Sequence, residues 1–142
     1  MAIWQAVNVL TNAVEGVKFV EVGTPAEIWA VTLPVSLANG DTILGPSLPA
    51  GCFLCDLGAD CTSLDSSTGL LFTVGTALLP AQFITATNVG QGATGGVAKV
   101  NVGGSLGFTA AVNTQIVATI THAASVPVQG KFTFYIEYTA SP

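Results

Sequence analysis

The stretch KFTFYIEY (131–138) carries the clearest structural signal in this sequence. Every second residue from Phe132 to Tyr138 is aromatic or aliphatic, and the residues between them share the opposite face. This period of two is typical of a half-buried β-strand. The stretch QIVATIT (115–121) repeats the pattern, with Gln, Val and Thr but no charged residue on its outer face. Both stretches therefore predict strands that cover a hydrophobic core.

Short β-branched or aromatic runs, bounded by Gly, Asn, Asp and Pro, continue along the chain, and no helical stripe is convincing after the first fifteen residues. Because these runs do not alternate with helices, they predict an all-β fold, a single β-sandwich or jelly-roll-like domain of about eight or nine strands. We assign this domain to residues 16–142, after an N-terminal arm at residues 1–15. The predicted strands are Val17–Val22, Ile28–Val35, Cys52–Leu57, Leu70–Val74, Phe83–Thr87, Val97–Val102, Gly107–Ala111, Gln115–Thr121 and Lys131–Tyr138.

The N-terminal arm differs from the rest of the chain. Ile3, Trp4, Val7 and Leu10 fit one stripe of a helix, and the same segment fits an extended arm equally well. An exposed Trp and Leu on a loose terminus would be a liability unless another surface covers them. We therefore expect the arm either to pack on its own domain or to reach a neighbour, with these four residues as candidate interface residues.

The composition excludes two classes of partner. Charged residues make up only 8% of the chain, against roughly 25% in an ordinary soluble domain. There is no Arg and the three Lys are scattered, so the clustered cations of a nucleic-acid surface cannot be assembled. Polar residues, Gly and Pro interrupt every apolar run well before the roughly 20 residues of a membrane span. We expect neither nucleic acid nor a membrane as a partner.

The segment Ser66–Ala98 contains no charged side chain. A surface of Ser, Thr, Asn, Gln, Gly and Ala suits protein contacts, because little charge must be desolvated when it is covered. The composition therefore predicts a subunit of an assembly. The N-terminus lacks the basic and apolar regions of a signal peptide, which predicts a reducing cytoplasm and free thiols at Cys52, Cys55 and Cys61.

Two glycine-rich segments match the consensus motifs of known functional sites, but the sequence around each does not fit such a site. GQGATG (90–95) matches G-x-G-x-x-G, but no helix is predicted after it and no acid lies at the spacing that holds a ribose. GGSLG (103–107) matches G-x-S-x-G, but no acid lies between Ser105 and His122. We interpret both as loops and expect no cofactor. The first loop is uncharged and adds three candidate interface residues: Gly90, Gln91 and Gly92.

The three cysteines and His122 are the residue types of a Cys₃His zinc site. In a predicted strand, however, Cys52 and Cys55 point to opposite faces, so buried thiols are favoured over zinc or a disulfide. No acidic loop has EF-hand spacing. We therefore expect no metal, no catalytic constellation and no enzyme. Six acids are expected to be solvated at edges and turns: Glu15, Glu21, Glu27, Asp56, Asp60 and Asp65.

The order of several segments between residues 39 and 139 resembles that of a known family. These segments resemble the head decoration proteins of tailed bacteriophages, also called cement or head-stabilising proteins. They are NGDTILG (39–45), LPAGC (48–52), SLDS (63–66), LFTVGTALLPAQFITATNVGQ (71–91) and the GK that leads into FTFYIEYT (130–139).

The resemblance implies a jelly-roll-like sandwich that often forms a homotrimer and has no catalytic activity. It implies binding to the major capsid protein on the outer surface of an expanded capsid, where the protein clamps neighbouring capsomers after assembly in the host cytoplasm. The family usually carries an acidic segment where this chain has TALLP (76–80). A contact or ion of the family at that position is therefore not carried over.

Two alternative functions stay open. One is another phage virion module, such as a head fibre, a tail component or an adhesin domain. The other is a carbohydrate-binding β-sandwich, which aromatic side chains displayed together on one face would favour. Trp4 and Trp29 are not expected to share such a face.

Overall fold

The structure is a computed structural model that describes residues 2–8, 26–33, 37–92, 95–99 and 108–140. These residues form ten β-strands. No helix long and apolar enough to cross a membrane occurs in this part of the chain. The strands are β1 (Ile3–Gln5), β2 (Val7–Asn8), β3 (Ala26–Leu33), β4 (Thr42–Leu48), β5 (Cys52–Cys61), β6 (Leu71–Gly75), β7 (Ile84–Thr87), β8 (Gly96–Lys99), β9 (Thr114–His122) and β10 (Gly130–Ala140).

The strands form two five-stranded sheets around one core. Sheet A has the order β1-β4-β9-β6-β7, and sheet B has the order β2-β3-β10-β5-β8. The antiparallel pairs β3–β10, β4–β9, β5–β8 and β6–β7 are nested about the connection between β6 and β7. A rolled-up hairpin whose pairs alternate between two sheets is a jelly roll. The predicted all-β, jelly-roll-like sandwich is therefore confirmed.

The stretch at 131–138 lies within β10, at the centre of sheet B between β3 and β5. Phe132, Phe134 and Ile136 are fully buried on its inner face. The ring of Phe132 packs edge-on against Phe72 of sheet A, with centroids 5.1 Å apart and planes at 70°. Burying each such side chain contributes roughly 1.5–3 kcal/mol. The alternating pattern of β10 thus joins the two sheets.

Strand β4 is not among the predicted strands, because Gly45-Pro46 interrupts its apolar run. Proline has no N–H to donate and is tolerated inside a sheet mainly at bulges. The register between β4 and β9 shifts between Leu44 and Ser47, on either side of this dipeptide. The bulge lets β4 continue to Leu48 without a regular ladder at Pro46.

Other predicted strands differ from the structure mainly at their ends. The strand predicted at Cys52–Leu57 extends to Cys61, because β10 supplies a partner along the whole length of β5. At Gly107–Ala111, the described residues show only an isolated bridge between Thr109 and Phe53. The strand predicted at Val17–Val22 lies outside the described residues.

Gly45 lies directly against the ring of Phe134 in the opposite sheet. A Cβ at this position would lie 2.9 Å from Cε2 of the ring, closer than real Cβ contacts allow. Because Phe134 is fully buried, its ring cannot move without displacing other core side chains. We expect Gly45→Ala to lower the free energy of unfolding by about 1–3 kcal/mol, measured by urea denaturation. The control, Ser47→Ala, changes an exposed residue of the same strand. Equal stability of the two variants would contradict the tight contact.

Candidate interaction surfaces

The outer faces of the two sheets differ in charge. Side chains on the outer face of β10 alternate with the buried ones and are paired with residues of β5, which are paired in turn with β8. The outer face of sheet A carries no charged side chain among the residues that the structure describes. The described charged residues on the outer face of sheet B are Asp56, Asp60, Lys99, Lys131 and Glu137.

Several of these charges form a network. The Lys99 ammonium lies 3.2 Å from a carboxylate oxygen of Asp56 and 5.2 Å from the centroid of the Tyr135 ring. The Tyr135 hydroxyl donates a hydrogen bond to Glu137. Burial, together with this bond, raises the pKa of Tyr135 to about 12. Since exposed ion pairs contribute little to stability, we assign these groups mainly to keeping this face hydrated.

The outer face of sheet A carries an apolar trough with a volume of about 860 Å³, which we call the sheet A trough. Strands β4 and β9 contribute Leu44, Val117 and Thr119 to its lining, and the segments 76–82 and 108–113 contribute most of the remainder. No residue that lines it is charged. A partner could cover this surface without desolvating an ionised group.

The loop at 76–82 is held in place by hydrogen bonds between Thr76 and Leu79. The Leu79 N–H donates to the Thr76 hydroxyl at 3.1 Å, and the Thr76 N–H donates to the Leu79 carbonyl at 3.1 Å. The loop also packs over Gly75, where an added Cβ would collide with the Leu79 carbonyl oxygen. Leu78 at the tip is 91% exposed, and Val112 on the other loop is 67% exposed. The trough therefore has an apolar projection on each of the two loops that line it.

The N-terminal candidates are extended rather than helical in the described part of the arm. β1 pairs in parallel with β4, which places Ile3 beside Thr42 on the outer face of sheet A, where Ile3 is 66% exposed. Trp4 faces inward and packs partly against the core. Val7 pairs with Ala30 in sheet B and is 54% exposed. These three side chains are thus divided between two sheets, and Leu10 lies outside the described residues.

The start of the arm is fastened to its own domain. The carboxylate of Asp41, which is buried, accepts a hydrogen bond from the Ala2 N–H at 2.9 Å and another from the Ala38 N–H at 2.8 Å. Ala6 is fully buried where the chain passes from sheet A to sheet B, and its N–H donates to the Leu44 carbonyl at 2.8 Å. Within the arm, residues 2–8 therefore pair with both sheets of their own domain.

Gly90, Gln91 and Gly92 form a turn that is tied to a neighbouring loop. The Gly90 carbonyl accepts hydrogen bonds from the N–H groups of Leu64 and Asp65 at 2.9 and 3.1 Å. The Gln91 side chain donates to the Leu70 carbonyl at 2.8 Å. Gly90 is buried, whereas Gln91 and Gly92 are partly exposed. The described part of this glycine-rich segment therefore has a structural role of its own.

Asp65 connects two segments next to this turn, residues 67–70 and 125–126. The expectation that it is a solvated acid is wrong. Its side chain is fully buried. Burial alone would raise its pKa, but hydrogen bonds from backbone N–H groups lower the pKa well below its usual range. Its two carboxylate oxygens accept hydrogen bonds at 2.8–2.9 Å from the N–H groups of Ser67, Gly69, Leu70, Ser125 and Val126.

The cysteines are distributed along β5, whereas His122 ends β9 in the other sheet. Cys61 is buried, and burial raises the pKa of its thiol above the usual range. Cys52 and Cys55 are half-buried. Within the ranges that the structure describes, no group of three His, Cys, Asp or Glu side chains could hold a metal ion.

Trp29 and Tyr138 are held by one acid rather than displayed for a ligand. Glu27 accepts hydrogen bonds from the Trp29 indole N–H and the Tyr138 hydroxyl, both at 2.7 Å. Burial and the bond to Glu27 raise the pKa of Tyr138 above its usual range. Trp29, like Trp4, packs partly against the core. The two tryptophans therefore do not form the joint aromatic face that would favour carbohydrate binding.

Comparison with known proteins finds similarity in three dimensions. No protein-family model matches the sequence, and no curated protein matches it. The fold is similar to that of a chain in the cyanophage Pam1 capsid asymmetric unit, with a TM-score of 0.76 and 19% identity over 89% of this chain and 92% of that chain. It is also similar to a chain in the capsid of Ralstonia phage GP4, with a TM-score of 0.75 and 18% identity over 99% of both chains. At this identity, the likeness shows a shared fold.

Proposed function

We propose that this chain is a structural, non-enzymatic virion protein that binds the outer surface of an expanded tailed-phage capsid and clamps neighbouring capsomers. The observation that carries the proposal is the likeness to a chain in the GP4 capsid, which extends over 99% of both chains. The order of segments that resembles phage decoration proteins points to the same role. The uncharged outer face of sheet A supports it, because such a surface is suited to repeated protein contacts.

The proposed partners are the major capsid protein and further copies of this chain in a homotrimer. A protein that binds the expanded shell but not its precursor lowers the free energy of the expanded state by mass action. An oligomer that contacts several capsomers at once adds the effect of a high effective concentration. Modest contacts at each subunit are then enough for a firm attachment.

Among the candidate contact residues, Ile3 and Val7 have the exposure that direct contact requires, and Gln91 and Gly92 have part of it. Trp4 packs partly against the core and Gly90 is buried, so in this proposal they position their exposed neighbours. We keep Leu10 as a candidate and propose the boundary between arm and domain at residues 15 and 16.

The proposed function predicts saturable binding to expanded capsids. The experiment mixes the purified chain with expanded capsids of its own phage, prepared without this protein, and measures co-sedimentation. Unexpanded precursors serve as the control, because clamping requires a preference for the expanded lattice. We also expect bound capsids to rupture at a higher temperature than bare ones. Equal, unsaturable binding to both kinds of shell, or no binding, would contradict the proposal.

A further inference from the structure

We propose that the sheet A trough is the surface through which copies of this chain associate with one another. The inference rests on the proposed function, in which the bound protein is oligomeric, and it assigns the contact between copies to one face of the sandwich. The occupant of the trough is a second copy, contributed mainly by its loop at 76–82.

The trough and a matching projection lie on the same face of the sandwich. The trough offers about 860 Å³ of uncharged, largely apolar space. Leu78 is 91% exposed on one of its loops, and the neighbouring Leu79 is 58% exposed. A projection and a groove side by side on one subunit can be satisfied by a second copy related by rotation, which closes the assembly. A soluble monomer would leave this apolar patch uncovered.

Charge is distributed unequally between the two outer faces of the described part of the sandwich. Among the described residues, contact through sheet B would cover five charged side chains, Asp56, Asp60, Lys99, Lys131 and Glu137, whereas contact through the trough covers none. Two packed sheets are about 10 Å apart, so copies joined through sheet A hold their charged faces roughly 20 Å or more apart. That separation exceeds the Debye length of about 8 Å at physiological ionic strength. Chains with a net charge of −5 can therefore associate through this face with little repulsion.

The test measures the mass of the purified chain by sedimentation equilibrium over a range of concentrations. The wild-type protein is expected to form a species heavier than the 14.3 kDa monomer. Leu78→Lys and Val112→Lys each place a cation at the trough. Both are expected to raise the dissociation constant by at least about tenfold. The matched control is Val97→Lys, which makes the same kind of change at a side chain that is 56% exposed on sheet B.

Each outcome supports or overturns the proposal. Retained fold in every variant is checked by circular dichroism, and these sites are exposed enough that the fold should persist. A wild-type chain that remains monomeric at its highest soluble concentration overturns the proposal. So does an oligomer that Val97→Lys dissociates and the two trough variants do not. Co-sedimentation with expanded capsids is measured in parallel, because capsid binding by a monomeric chain would retain the proposed function while removing this inference.

Discussion

Asp65→Asn is expected to lower the free energy of unfolding by about 3 kcal/mol or more. The carboxylate accepts five backbone hydrogen bonds from two segments, residues 67–70 and 125–126. Asparagine keeps one acceptor oxygen, and its NH₂ group would face N–H donors instead of accepting from them. Because the site is fully buried, water cannot replace the lost bonds. The measurement is urea denaturation at neutral pH.

The matched control is Asp60→Asn, which makes the same chemical change at an exposed position on sheet B. It is expected to alter stability by no more than about 0.5 kcal/mol. If the two variants were equally stable, the loops around Asp65 would not depend on its charge. The contrast between the two sites separates the role of the buried carboxylate from the general effect of removing one negative charge.

The lowered pKa of Asp65 predicts that the stability of the protein falls at acidic pH. The pKa of Asp65 is lowered in the folded protein, whereas in the unfolded chain it lies near the usual value of about 3.9. Its contribution is therefore fully present above the unfolded pKa and is lost as pH falls below about 4 towards the folded pKa. The stability difference between wild type and Asp65→Asn is expected to shrink between pH 5 and pH 3. A difference that is constant over this range would contradict the assignment.

The second large effect is expected at Phe132, where truncation to Ala should cost about 3–5 kcal/mol. Phe132 is fully buried, and its ring contacts Phe72 of the opposite sheet at 5.1 Å and Phe134 of its own strand at 4.9 Å between centroids. Removing it leaves a cavity between the sheets and breaks an edge-to-face contact. The loss is measured by urea denaturation, with the slope of the transition as a check on two-state behaviour.

Lys131→Ala is the control for Phe132→Ala, because the neighbouring side chain points away from the core and is exposed. It is expected to change the free energy of unfolding by no more than about 0.5 kcal/mol. Similar losses of unfolding free energy in the two variants would mean that any substitution in β10 lowers stability, whichever face the side chain occupies. That result would also contradict the role of β10 as the strand that joins the sheets.

The strands whose pattern is local were the predictable part of the fold. β10 alternates apolar and polar residues along its predicted length, and β9 does so except at Val117. The period of two is a property of the strand itself. β4 was not predicted, because the strand continues past Gly45-Pro46 only through a bulge, and a bulge requires β9 as a partner. The length of β5 likewise depends on its pairing with β10.

The candidate surfaces were predictable only in part. The uncharged run from Ser66 to Ala98 contains the loop that carries Leu78, but within this run the sequence analysis named only Gly90, Gln91 and Gly92 as candidates. No local pattern indicates that this loop and the segment at 108–113 line one trough. The same limit applies to Asp65, whose sequence context is that of an ordinary turn acid. Its burial results from donors that lie up to 61 residues away along the chain.

By itself, the sequence determined the class of the fold and the character of the surface, because strand periodicity and charge content are properties of neighbouring residues. The tertiary structure decided which strands share a sheet and how the pairs from β3–β10 to β6–β7 nest. It also decided that, among the described residues, the charged side chains on the outer faces of the sheets lie on sheet B. It also decided that the arm is split at Ala6 between the two sheets. These features depend on contacts between distant segments, whose free energy is gained only when the whole sandwich closes.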